Sequence, residues 1–224
     1  MGIFHQRHLP HFQPPHGTFF TTFRLAGSIP FDLVEQLREE YLANQRHIAD
    51  IDEPQERAQA WRKLQQEYFE IVDHSLDDIL CGPRWLQRCD IATVVVASIH
   101  YAANTMFDLH AYTIMPNHVH LCFSIGNGLI GRRDSPASSN WDEIPHPVSE
   151  ICGSIKKYSA RRANHLLGRK GPFWQDETYD RFIRDIHEFR SVLWYIIQNP
   201  VRAGLVTDWH EWPWIFCDEE SLCL

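Results

Sequence analysis

Two runs, FDLHAYTI (107–114) and HVHLCFSI (118–125), flank the turn tripeptide Met115-Pro116-Asn117, and together they predict a β-hairpin. Side chains two apart in a strand share a face. The second strand therefore presents His118 and His120 together, while Val119, Leu121 and Phe123 turn to the core. Two imidazoles so placed can chelate one divalent cation. With 14 His in the chain, one HxH is expected by chance, so structural or solvated histidines are an equal reading of the tripeptide alone.

Around this hairpin the periodicities alternate. GTFFTTFRL (17–25) reads as a strand. Residues 90–104 carry Ile91, Val94, Val95, Ser98, Ile99 and Ala102 at helical spacing, which outweighs the β propensity of the Val run. Residues 126–146 are rich in Gly, Ser and Pro and read as a loop. From Pro147 a helix is predicted to Gly168, then a strand over 171–183 and a helix from about 185 to 198 that stops at Asn199-Pro200. The order is that of an α+β, ferredoxin-like β-α-β-β-α-β plan, an antiparallel sheet with helices on one face. Residues 31–83 add two acidic helices, read as a helical insertion. The expected organisation is one domain over 1–224: a loose arm (1–16), the insertion, and a core of 84–216 joined by the strand 17–25.

No run approaches the ~18 apolar residues of a membrane span, so no membrane partner is expected. The opening MGIFHQRHLPHFQPPHG lacks a continuous apolar core, so no secretory signal is read and a cytoplasmic location is expected. The six Cys form no CxxC pair and read as reduced, mostly structural thiols. A net charge of −8 argues against nucleic acid, but the charge is unevenly spread. Residues 31–80 hold 13 acids against 5 bases, whereas residues 151–184 hold 8 bases against 3 acids. A local basic stretch can grip phosphates because charges beyond a Debye length of ~10 Å are largely screened.

On that basic helix, SIKKYSARRAN, the apolar to small face is formed by Val148, Ile151, Cys152, Ile155, Ser159, Ala163 and Leu166. Tyr158 lies at its margin, with Arg162 and His165 on the same side. An amphipathic Tyr that packs its ring and wets its hydroxyl is the plain reading. Nucleophilic use would need nearby cations or a metal-bound phosphate.

TIMPNHVHLCF, KKYSARRAN, GPFWQDETYDRFIRD and YIIQNPVRAGLV followed by WPW, in this order, resemble the REP-associated tyrosine transposases, part of the IS200-like single-tyrosine HUH transposase group. The resemblance covers residues 16–25 and 84–216. It implies that His118 and His120 hold Mg²⁺ or Mn²⁺ against the scissile phosphate of single-stranded or hairpin DNA, and that Tyr158 attacks phosphorus to give a 5′-phosphotyrosine link and a free 3′-OH. Some relatives place a Gln four residues after the tyrosine as third ligand. Position 162 is Arg, Asn164 points away from Tyr158 and His165 lies too far along the axis, so no third ligand is assigned. Lys156, Lys157, Arg161, Arg162, Arg169 and Lys170 are the implied phosphate contacts, and Phe173, Trp174 and Tyr179 are candidates for base stacking. Asn199, Pro200 and Gly204 read as helix termination. The resemblance implies a DNA-binding, nucleoid-associated transposase acting in DNA transposition and recombination, as a monomer or a homodimer with sites completed across chains. Its runner-up is a domesticated module that binds hairpins without cutting. A metal hydrolase of small substrates is a distant third, disfavoured by the basic helix and the lack of HExxH.

Overall fold

The computed structural model describes residues 3–6, 10–78, 82–126, 128–129 and 141–222. The chain divides into two compact units, residues 27–83 and the remainder.

The larger unit opens with a two-stranded antiparallel sheet, β1 (Ile3–Gln6) and β2 (Pro10–Gln13), where the sequence suggested a loose arm. Its main sheet has five strands, all antiparallel to their neighbours: β3 (Gly17–Leu25), β4 (Asp108–Ile114), β5 (His118–Ile125), β6 (Trp174–Ile183) and β7 (Ile215–Cys217), in the order β6-β3-β5-β4-β7. The expected hairpin is β4–β5, closed where Met115 N–H donates to His118 O. β7 was not anticipated: three residues of strand leave too short an alternation to read.

The two crossover helices, α3 (Cys89–Met106) and α4 (Pro147–Leu166), pack on each other and on one face of the sheet. The core between them takes Phe19 and Phe23 from β3, Val119, Leu121 and Phe123 from β5, Ile91, Val95 and Ile99 from α3, and Ile151, Ile155 and Ala163 from α4. Phe123 sits between Phe19 and Phe107 at ring separations of 6.0 and 4.8 Å. Phe173 and Trp174 also belong to this core, so they do not offer faces to bases.

A further helix, α5 (Ile186–Arg202), follows the β-α-β-β-α-β unit and packs on β4 and β5 from the other face. It runs past the expected stop, with Pro200 inside its last turn. A proline there forfeits the bond to the carbonyl four residues back and crowds that carbonyl, but just two helical residues follow it, and the chain is turned afterwards by Gly204 at φ 66°. Most of the predicted 126–146 loop lies outside the described residues; Trp141–Glu143 within it form a 3-10 turn. A short α6 (Glu219–Leu222) ends the described chain.

The smaller unit carries α1 (Phe31–Ala49) and α2 (Pro54–Asp78), which pack together with Tyr41 edge-on to Tyr68 at 5.0 Å. Burial, then Tyr68, pushes the Tyr41 phenol up. No helix among the described residues is long and apolar enough to cross a membrane.

Cys122 and Cys152 are fully buried, and burial pushes the Cys152 thiol up to about 12 and the Cys122 thiol well above its ordinary value. Both stay protonated far into the alkaline range, whereas Cys89 is exposed. Peptide mapping after iodoacetamide treatment at pH 8.5 is expected to find Cys89 modified and Cys122 and Cys152 unmodified until the protein is unfolded.

Candidate functional site

Strand alternation sorts β5 into two sets. Its odd residues enter the core beneath α3 and α4, and its even residues, His118 and His120 among them, point to the face that carries α5. Pairing with β3 is in register, so Thr22 stands opposite His120 and Phe20 opposite Cys122 on the same face.

The two histidines are fully buried with their Nε2 atoms 3.0 Å apart. His118 Nδ1–H donates to Asn117 Oδ1 at 2.7 Å, because that oxygen can only accept. The neutral ring then carries a lone pair on Nε2, aimed at His120. His120 Nδ1 meets Thr22 Oγ1 at 2.7 Å, and a hydroxyl works in either sense. If Thr22 donates, His120 Nε2–H donates to His118. If Thr22 accepts, both Nε2 lone pairs converge and require a cation. Two nitrogens about 2.1 Å from one ion, at roughly a right angle, are themselves about 3 Å apart, so the observed spacing suits this second state without rearrangement. Thr22 and Asn117 hold the outer nitrogens, as the partners of metal-bound histidines do.

Aromatic packing fixes the rings. Phe20 stacks on His120 at 5.6 Å, and Tyr195 of α5 meets His120 edge-on at 5.3 Å and Phe20 at 5.8 Å. Tyr195 is half-buried, and the Arg202 guanidinium lies over its ring at 5.0 Å. Asn199, one turn after Tyr195 on the same side of α5, is fully buried, and neither of its amide atoms has a hydrogen-bond partner among the described residues. Thr113, opposite His120 on β4, likewise has a buried Oγ1 with no such partner. Leaving such atoms unpaired costs about 1–3 kcal/mol each, so a face that keeps them suggests a ligand to satisfy them.

The position of α5 is set at its start. Asp185 caps it by accepting from Glu188 N–H at 2.8 Å, Glu188 accepts from Arg184 N–H at 3.0 Å, and the Glu188 carboxylate pairs with Arg181 of β6. This spacing, Asp185 followed three residues on by Glu188, is visible in the sequence.

Tyr158 is not brought to the histidines, and the expectation that they converge is corrected. It is 61% exposed on the outer side of α4, and α4 covers the opposite face of the sheet from the one His118 and His120 occupy. No rotation of α4 about its axis can carry the phenol through the sheet. Tyr195 was missed because Asn199-Pro200 reads so strongly as a helix stop; the signal was its spacing of four from Asn199. His120 and Tyr195 meet within one chain, so this pairing needs no second subunit.

The six implied phosphate contacts separate. Lys156 Nζ donates to Asp176 O at 2.8 Å and Thr178 Oγ1 at 3.0 Å. Arg169 donates to Asn164 Oδ1 and Pro172 O and lies over Trp85, so both residues knit α4 to its surroundings. Lys157, Arg161, Arg162 and Lys170 are exposed. Tyr179 is half-buried on the histidine face, beside Phe20.

No family model matches the chain. Over 107 residues, 48% of this chain, it is 27% identical to a protein named REP-associated tyrosine transposase from Escherichia coli (strain K12). The match takes in 52% of that protein, so the chain spans about half the length of this relative. A solved structure of a REP-associated tyrosine transposase bound to a REP hairpin is also similar, with a TM-score of 0.49 and 16% identity over 94% of this chain and 81% of that one. The resemblance read from the motifs is thus met again in sequence similarity.

Long-range ¹⁵N–¹H NMR on imidazole-labelled protein is expected to find the His118 proton on Nδ1. A proton on Nε2 would mean that Asn117 presents its amide nitrogen and that the pair is arranged otherwise.

Proposed function

We propose that this chain, similar over half its length to a REP-associated tyrosine transposase, cleaves and rejoins single-stranded or hairpin DNA, with Tyr195 rather than Tyr158 as the nucleophile. The observation that carries the reading is the meeting of Tyr195 with His120 on the face of the sheet opposite α4. The carbonyl-bearing residue that some relatives place four positions after the tyrosine has no counterpart at Arg162, but Asn199 stands there after Tyr195.

In this reading the Tyr195 hydroxyl oxygen attacks phosphorus and the bond to the 3′ oxygen breaks. The phenolic proton leaves to solvent, and the departing 3′ oxygen takes one up, giving a 5′-phosphotyrosine and a free 3′-OH. The covalent link conserves the phosphodiester bond energy, so rejoining needs no nucleotide cofactor, whereas water as nucleophile would make the cut irreversible. The exposed Arg202 guanidinium over the Tyr195 ring offers charge to the phosphate oxygens.

The donors on this face fit a divalent ion: two imidazole Nε2 atoms of suitable spacing, held from behind by Asn117 and Thr22, and the unpaired Asn199 carboxamide as an oxygen donor. Such an ion, Mg²⁺ or Mn²⁺, would supply Lewis acidity at a phosphate oxygen. Nitrogen donors favour Mn²⁺, since Mg²⁺ prefers oxygen.

Incubation with a labelled palindromic DNA hairpin and Mn²⁺ is expected to leave a denaturant-resistant protein–DNA adduct that Tyr195→Phe abolishes and Tyr158→Phe retains. Loss in Tyr158→Phe alone would overturn the assignment, and hairpin binding with no adduct in the unaltered protein would make it a binding module.

Asn199→Leu separates chemistry from packing. Removing two unpaired amide atoms is expected to leave stability unchanged or raise it by about 1 kcal/mol in urea denaturation, while adduct formation falls at least tenfold. A destabilised variant would show that the amide serves the fold instead.

A further inference from the structure

With Tyr158 withdrawn from the cleavage chemistry, the outer side of α4 is left with residues whose arrangement the proposed reaction does not use. Ser154, Lys157, Tyr158, Arg161, Arg162 and His165 recur at spacings of three and four, so they form one stripe along the helix and line a cavity of about 510 Å³. Lys157, Arg161 and Arg162 have no carboxylate partner among the described residues. Several bases on other elements are paired, as in Arg88 with Asp90, Lys63 with Glu67 and Arg181 with Glu188. In a chain of net charge −8, three uncompensated cations clustered on one helix side make a local positive stripe that favours an anionic partner.

The chemistry of the partner follows from what accompanies the charge. A membrane surface is disfavoured because the apolar side of α4 is already consumed: Ile151, Cys152, Ile155 and Ala163 are buried in the core and cannot insert among lipids. Arginine forks match phosphate oxygens in pairs. Between these cations stands a tyrosine ring, largely exposed. Cations interleaved with an open aromatic face are the means by which unpaired nucleotides are held, phosphates on the charges and a base on the ring.

We infer that the outer side of α4 is a second nucleic-acid surface, on the far side of the sheet from the cleavage face, where Lys157, Arg161 and Arg162 bind phosphates of a single strand and Tyr158 stacks one of its bases. The inference rests on the DNA reading of the protein, but not on cleavage. Because α4 also packs on β6, an outer strand of the sheet, the unpaired DNA held here would cross that edge to reach Tyr195.

The test is fluorescence anisotropy without divalent metal, using a fluorescein-labelled palindromic DNA hairpin with a single-stranded 5′ extension and the same hairpin lacking it. For the extended probe, the combined variant Lys157→Gln, Arg161→Gln, Arg162→Gln is expected to reduce the slope of log affinity against log salt by about 2, at roughly 0.7 per phosphate contact. Tyr158→Ala is expected to weaken binding of the extended probe about tenfold and to leave the shorter one unchanged, while Tyr158→Phe restores it. With Mn²⁺ and saturating DNA, all three variants are expected to form adduct at the unaltered rate. An unchanged slope and affinity would overturn the inference, as would equal losses for both probes, or binding of poly-glutamate that the triple variant abolishes while DNA binding persists. If no adduct forms in the unaltered protein yet the slope falls as expected, the cleavage reading fails and this surface stands.

Discussion

Everything in the larger unit depends on the two-sidedness of β5. Its apolar residues Val119, Leu121 and Phe123 close the core beneath α3 and α4, and their burial fixes the register against β3 and β4. A slip of one residue would send the histidines into that core and take Val119, Leu121 and Phe123 out of it. The force that folds the sheet is therefore the force that aims His118 and His120 at α5. The aim is then held by Thr22, Asn117 and Phe20, so the pair has its spacing before any ligand arrives.

The hairpin, the crossover helices and the strand order were legible because each rests on periodicity and turn chemistry. The shared orientation of the histidines followed from the same alternation. What periodicity does not state is which face of the sheet a helix covers, and the placement of Tyr158 foundered there. The answer lay within reach of chain topology. In the observed order, β3 and β4 are parallel with β5 between them, and β5 and β6 are parallel with β3 between them. Right-handed crossovers then put α3 and α4 on one face. If that face is the apolar one, the histidines must look away from α4, and their partner must come from an element outside the β-α-β-β-α-β unit.

That element is α5, and its reading turned on Pro200. Proline disfavours helical geometry in the residue before it, so Asn199-Pro200 suggested an end. Only Val201 and Arg202 of the helix follow the proline, so any kink it imposes displaces little, and packing of Phe189, Leu193, Ile196 and Ile197 outweighs its cost. β7 and the amino-terminal hairpin escaped notice for a different reason: strands of three or four residues carry too few alternations to stand above chance, and pairing alone creates them.

The two tyrosines illustrate how position divides labour on a two-faced sheet. Tyr195 has a metal-ligand-like pair at its edge, an arginine over its ring and an unsatisfied carboxamide one turn away, all on a helix capped and tied at its start. Tyr158 has none of these, only open cations along its helix. A phenol without a partner to orient it or a group to polarise the phosphate has little to offer as a nucleophile, yet its exposed ring is what stacking requires. In the proposed reading, holding the strand on one face and breaking it on the other would give the fold a reason to keep α4 basic while the chain as a whole is acidic. On that reading, affinity for unpaired DNA would be tuned along α4 without disturbing the histidines, because the packed core between the faces separates them.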